Sequence, residues 1–133
     1  MNTIAFRQTD AGRSAAGFTE CRDCTVRAYA IAKQIPYADA HAKLKALGRK
    51  QRRGWDWAGQ FANSDEFELL PEFSARRVEK VLPELPPGRF VVHVRGHVFA
   101  VVDGVACDDY SVFTASDRRQ ITRAVYKVVE AQS

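Results

Sequence analysis

The sequence predicts an α+β fold, with N-terminal helices packed on a small antiparallel sheet. Three observations carry this. Helix formers with apolar residues at helical spacing fill residues 24–47, short β-branched and aromatic runs split by two-residue turn signals fill residues 89–108, and Pro86-Pro87-Gly88 separates the two classes. Helices followed by strands, rather than an alternation of the two, is the pattern of segregated elements. A chain of 133 residues suits one core, so residues 1–133 are read as a single domain with one site. Its apolar fraction of 46% and aromatic fraction of 11% are enough to fill that core.

The elements follow in order. Residues 1–20 carry Gly12, Ser14 and Gly17 without periodicity and read as an irregular arm or a short edge strand. Asp23 is a good N-cap for a first helix over residues 24–33, with Val26, Ala30 and Ile31 along one side, and Pro36 stops it. A second helix over residues 37–47 places Ala40, Leu44 and Leu47 on one buried face and ends at Gly48. Residues 49–63 are basic, then aromatic at Trp55, Trp57 and Phe61, and read as a loop. Residues 67–71 fit either class, and Ser74 caps a helix to residue 82, ended by Pro83. Strands follow at residues 89–94 and 98–102 around Arg95-Gly96, then a third ends near Asp108 after the hairpin signal Asp103-Gly104. Residues 116–119 suit a helix cap, and residues 121–129, dense in β-branched and aromatic side chains, read as a final strand.

Several function classes are excluded by composition. No run of about 18 apolar residues occurs, and the first twenty residues contain Arg7, Asp10 and Arg13 with no apolar stretch of signal-peptide type. A soluble protein without a membrane partner is expected. Three cysteines cannot all pair, which points to free thiols and a reducing, cytoplasmic setting. The net charge of +4 is too small to imply nucleic-acid binding by itself. Its distribution, with Lys43, Lys45, Arg49, Lys50, Arg52 and Arg53 close together and Asp65, Glu66, Glu68 and Glu72 soon after, suggests a molecule with a basic and an acidic side.

Chemistry concentrates at three residues. Cys24 falls in the first turn of a helix, where unpaired backbone N–H groups and the helix dipole favour the thiolate. Such a nucleophile needs an imidazole beside it and a third group to orient that imidazole. With Asp103-Gly104 as a two-residue turn, Val102 pairs with Val105 and His97 faces Tyr110, so Asp108 lies on the His97 face as its diagonal neighbour. Asp109 then points away, and a different turn would exchange the two aspartates. His93 pairs with Val98 and faces away from His97, which argues against a two-histidine metal site.

The run Asp23-Cys24-Thr25-Val26-Arg27-Ala28, followed much later by residues 96–108 from Gly96-His97 to Cys107-Asp108, resembles the compact papain-like cysteine peptidases of bacterial and phage type. The resemblance covers about half the chain. It implies a papain-like fold and a catalytic triad of Cys24, His97 and Asp108 that cleaves a peptide, isopeptide or other amide bond in a protein or peptide substrate. The family also places a Gln about six residues before the nucleophile to bind the oxyanion. Phe18 stands there in this chain, leaving Thr19, Gln8 or a backbone N–H beside Cys24 to fill that role.

Other readings compete. Cys21 and Cys24 form C-x-x-C, yet no βαβ pattern precedes it as in redox motifs, and Cys107 stands without the second close pair of a zinc site. No metal or cofactor is therefore expected, and Cys21 is read as an incidental or resolving thiol. The alternative function is a non-catalytic module of the same fold that binds a protein or nucleic-acid partner through the basic and aromatic segment 43–61.

Overall fold

A computed structural model of the chain describes residues 4–19, 23–50, 61, 64–109 and 113–129. Its elements, in chain order, are β1 (Ala5–Gln8), α1 (Cys24–Lys33), α2 (Tyr37–Ala46), β2 (Phe67–Leu69), α3 (Val78–Val81), β3 (Arg89–Val94), β4 (His97–Val102), β5 (Val105–Asp108), α4 (Ala115–Arg119) and β6 (Thr122–Val128). Short 3-10 turns occupy Pro71–Phe73 and Leu82–Glu84. The fold is thus mixed helix and sheet, and the strands form one sheet in the order β1-β5-β4-β3-β6-β2.

That sheet is mixed, which corrects the expectation of an antiparallel one. β1 runs parallel to β5, with Ala5 opposite Val105 and Gln8 opposite Asp108, while the other neighbouring pairs are antiparallel. Four residues without alternation carry no signal of strand direction, and their partner lies at the far end of the sequence.

The two-residue turns fix the register in the centre of the sheet. His93 lies opposite Val98, Val94 opposite His97, and Val102 opposite Val105. Asp103 and Gly104 have φ of 48° and 81°, the left-handed pair that a tight hairpin of this twist requires. The Asp103 carboxylate also accepts the Gly88 N–H at 2.8 Å, and its own N–H donates to the Gly88 carbonyl at 2.8 Å, so the turn is tied to the entry of β3.

Alternation along the strands divides the buried side chains between two faces. Val91, Val98, Ala100, Ala124, Tyr126 and Val128 form one cluster with residues of α1 and α2, including Val26, Tyr29, Tyr37 and Leu44. Phe90, Val92, Val94, Phe99, Val101 and Val125 form a second with Val78, Val81 and Leu82. Sandwiched against the sheet, α1 is buried around most of its circumference rather than along one side: eight of its ten residues are buried, Ile31 and Lys33 being the exceptions. Its C-terminus is closed by Gln34 at φ 57°, whose N–H reaches the Ile31 carbonyl, before Pro36 is met.

Two further expectations need correction. α2 ends at Ala46, and Leu47, past its last turn, is exposed rather than buried with Ala40 and Leu44. Ser74 closes a 3-10 turn instead of capping a helix, and α3 is a single turn starting at Val78. The reason is pairing with β6: the Ala75 N–H donates to the Thr122 carbonyl, the Arg76 carbonyl accepts from Thr122 N–H, and Arg77 bridges Ile121, which ties residues 75–77 to the start of β6 with Ala75 in the left-handed region at φ 61°. Of the basic and acidic stretches, Lys43 is ion-paired with Glu66, while Arg52 and Arg53 lie outside the described residues. The expected strand at the C-terminal end is present as β6, preceded by the short α4, which Thr114 and Asp117 close with a reciprocal capping box.

Candidate active site

Cys24 is the first residue of α1, since the Asp23 carbonyl accepts the first helical bond, from Arg27 N–H, at 2.9 Å. His97 opens β4 and Asp108 closes β5, so both stand at the same end of the sheet. The β4–β5 ladder runs from Val102 opposite Val105 to Ala100 opposite Cys107. Just past it, Asp108 Oδ2 lies 2.6 Å from His97 Nε2. This is the diagonal relation expected from the register; Tyr110, the residue expected directly opposite His97, lies outside the described residues.

With Nε2 engaged by Asp108, the remaining ring nitrogen of His97 is the one left to meet the Cys24 thiol, and the two side chains are hydrogen-bonded. The Val98 backbone N–H also supports the sulfur. The His97 ring also stacks on Phe99, at a centroid distance of 6.3 Å. The three residues singled out in the sequence are therefore brought together. Cys24 is 5% and Asp108 2% exposed, so these interactions act with little screening by water.

Electrostatics follow from that burial. Desolvation pushes the Cys24 thiol up, but His97, the Val98 N–H and the Arg27 cation outweigh it and hold the thiol below its ordinary 9.0. Desolvation pulls His97 down, and its bonds to Asp108 and Cys24 outweigh that and raise it to about 9. Both shifts favour a thiolate beside an imidazolium. Asp108 is likewise held below the usual carboxylate range: burial opposes this, and His97, Arg27 and the Asp109 N–H overcome it. Cys107 behaves oppositely, its thiol being pushed up chiefly by burial.

Asp23 corrects the cap expectation. It occupies the N-cap position but makes no side-chain cap bond. Its carboxylate instead accepts from Arg27 Nε at 3.0 Å, from Arg13 Nη1 at 3.1 and 3.2 Å, and from the Tyr37 hydroxyl at 2.9 Å. Arg27 continues to Asp108 Oδ1 at 2.6 Å, and Arg13 to Asp109 Oδ2 at 2.7 Å. Sequence reasoning missed both arginines. The spacing of Asp23 and Arg27, four apart at a helix start, was the one local signal for either; Arg13 offered none.

Phe18, in place of the expected Gln, packs its ring on Tyr37 and His41 at 5.1 and 4.5 Å. Gln8 sits on β1 in register with Asp108, and it and Thr19 are exposed. Cys24 and Cys107 are free thiols, while Cys21 lies outside the described residues. No group of three His, Cys, Asp or Glu among the described residues is arranged to hold a metal ion, and none of the described helices is long and apolar enough to cross a membrane. Of the basic and aromatic segment, residues 51–60 with Trp55 and Trp57 lie outside the described residues, and Arg49 is buried. A cavity of about 350 Å³ on the Thr25 and Tyr29 flank of α1 is lined by Leu44, Phe61 and Phe67, but not by Cys24, His97 or Asp108.

Comparison with models of known families, with curated proteins and with solved structures finds no match to this chain.

Proposed function

We propose that this chain is a papain-like thiol hydrolase, acting in a reducing, cytoplasmic setting on a peptide, isopeptide or other amide bond of a protein or peptide substrate. The observation that carries the reading is the contact chain from Cys24 through His97 to Asp108, with the thiol lowered and the imidazole raised despite their burial. Burial alone would have moved both the other way. The order of the three residues, nucleophile on a helix start and base and acid on successive strands, is that of the papain-like resemblance.

In this reaction Cys24 Sγ adds to the substrate carbonyl carbon and the carbonyl π pair moves onto oxygen. In this reading the oxyanion is received by backbone N–H groups of the first turn of α1, which have no carbonyl four residues back within the helix. The C–N bond then breaks as His97 gives its proton to the leaving nitrogen, which departs as amine and leaves a thioester. Water attacks the thioester while His97 takes its proton, releasing the carboxylic acid and restoring the thiolate and imidazolium. Asp108 keeps the imidazole in one orientation throughout.

The test is iodoacetamide labelling as a function of pH, with each cysteine followed by mass spectrometry in wild type and His97→Ala. An ordinary thiol of pKa 9.0 is about 1% ionised at pH 7, so full ionisation raises the reactive fraction by at most about 100-fold. Cys24 is expected to label far faster than Cys107 at neutral pH and to lose that advantage in the variant. Ordinary thiol behaviour of Cys24, or an advantage that survives removal of His97, refutes the reading.

A further inference from the structure

We propose that Arg27 and Arg13 are positioning residues of the thiol site, binding Asp23, Asp108 and Asp109 into one ionic box that holds the nucleophile's helix against the strand carrying the orienting acid. The inference rests on the hydrolase reading and deepens it. Each arginine grips Asp23, the residue before the nucleophile, and each then takes one of the two consecutive aspartates at the end of β5: Arg27 takes Asp108, Arg13 takes Asp109. Three distant pieces of chain, the N-terminal arm, the start of α1 and the end of β5, are thereby fixed at the point where Cys24 must meet His97.

Stability is a poor explanation for this arrangement. Desolvating an arginine and two carboxylates is costly, and well-packed apolar groups of similar volume usually hold such a junction as well or better. The apolar clusters already pack α1 on the sheet. What the box adds is orientation. Asp108 Oδ1 is occupied by Arg27 Nη1 at 2.6 Å and by the Asp109 N–H at 2.8 Å, so the carboxylate has one rotamer, and that rotamer directs Oδ2 to His97. Charges alternate from Arg13 through Asp23, Arg27 and Asp108 to His97 and Cys24, with Asp109 closing the box on Arg13 and the Tyr37 hydroxyl of α2 on Asp23. Removing Arg27 takes a cation from the neighbourhood of Cys24 as well as from Asp108.

The experiment is the pH profile of Cys24 labelling by iodoacetamide in wild type, Arg27→Met, Arg27→Lys and Arg13→Met, with folding checked by circular dichroism. Misplacing a reacting group by about 1 Å costs on the order of 10²-fold, so Arg27→Met is expected to slow Cys24 labelling at pH 7 by roughly 10- to 100-fold and to move its acid limb to higher pH. Arg27→Lys recovers only part of the rate, because one ammonium cannot replace a planar fork spanning two carboxylates. Arg13→Met, which touches neither His97 nor Asp108 and leaves Asp23 its bond to Arg27, produces a smaller loss with the same direction of shift. A purely structural role lowers stability without moving the limb. Folded arginine variants with the wild-type profile overturn this proposal alone; a wild type whose Cys24 behaves as an ordinary thiol overturns the hydrolase reading and this proposal with it.

Discussion

Replacing Asp23 by serine separates two roles that the same residue could play. As an N-cap, Asp23 would be worth about 1 kcal/mol, and serine, an equally good cap, would restore it. As the carboxylate between two arginines, it is 1% exposed and accepts four hydrogen bonds, three of them from arginines whose charge a serine hydroxyl cannot balance. Breaking a buried ion pair by removing one partner costs about 3–5 kcal/mol. The Arg13 side chain is 18% exposed and can turn to water, and Arg27 keeps Asp108, so the lower end of that range applies, about 3 kcal/mol. For a chain of this size that corresponds to a fall of about 10 °C in Tm. Urea denaturation followed by far-UV circular dichroism measures it directly. The pH dependence gives an independent check. Burial opposes ionisation of Asp23, but Arg27, Tyr37 and Arg13 hold its carboxyl below 3.8 in the folded protein, so its contribution is complete above 3.8 and is lost as pH falls through the depressed value. The gap between wild type and Asp23→Ser should therefore be constant from pH 5 to 7 and close in acid. A loss of 1 kcal/mol or less, or a gap that widens in acid, refutes the ion-pair role.

Two further outcomes are expected. The His97 ring, followed by NMR, titrates near 9 in the wild type and falls back toward 6.5 in Asp108→Asn, since Asp108 supplies the largest influence raising it; a wild-type value near 6.5 removes the basis for the imidazolium. Gly104→Ala places a Cβ where nothing lies within 4 Å, so its cost is conformational only, about 1–2 kcal/mol for an L-residue held at φ 81°. A loss above about 3 kcal/mol on urea denaturation would mean that the hairpin register itself has changed.

The part of the site legible in the sequence is the part governed by local rules. Asp103-Gly104 and Arg95-Gly96 set the register of β3, β4 and β5 to the residue, and with it the choice of Asp108 over Asp109 as the neighbour of His97. The start of α1 at Cys24 was legible because helix formers begin there and Asp23 stands before them. The ionic box was not, because Arg13 meets Asp109 across 96 positions and Arg27 meets Asp108 across 81, and no period or motif encodes such a meeting. Asp23 was misjudged for a related reason: a residue type suited to capping was claimed by stronger, charged partners that only the fold supplies. Leu47 and residues 74–82 show the limit of local signals, which mark apolar spacing and cap residues without knowing where a neighbouring strand will tie the backbone down.

The parallel pairing of β1 with β5 also sets an order of assembly. Ala5 meets Val105 only after 100 further residues have been made, whereas α1 and the β3–β5 meander are built from contacts close in sequence. Long-range pairing of this kind carries the larger loop-closure entropy and forms late. During synthesis Cys24 therefore emerges far ahead of His97 and Asp108 and waits as an unremarkable thiol. It gains its partners only when the sheet forms, and the arm that carries Arg13 must close a separation of 96 positions to reach Asp109.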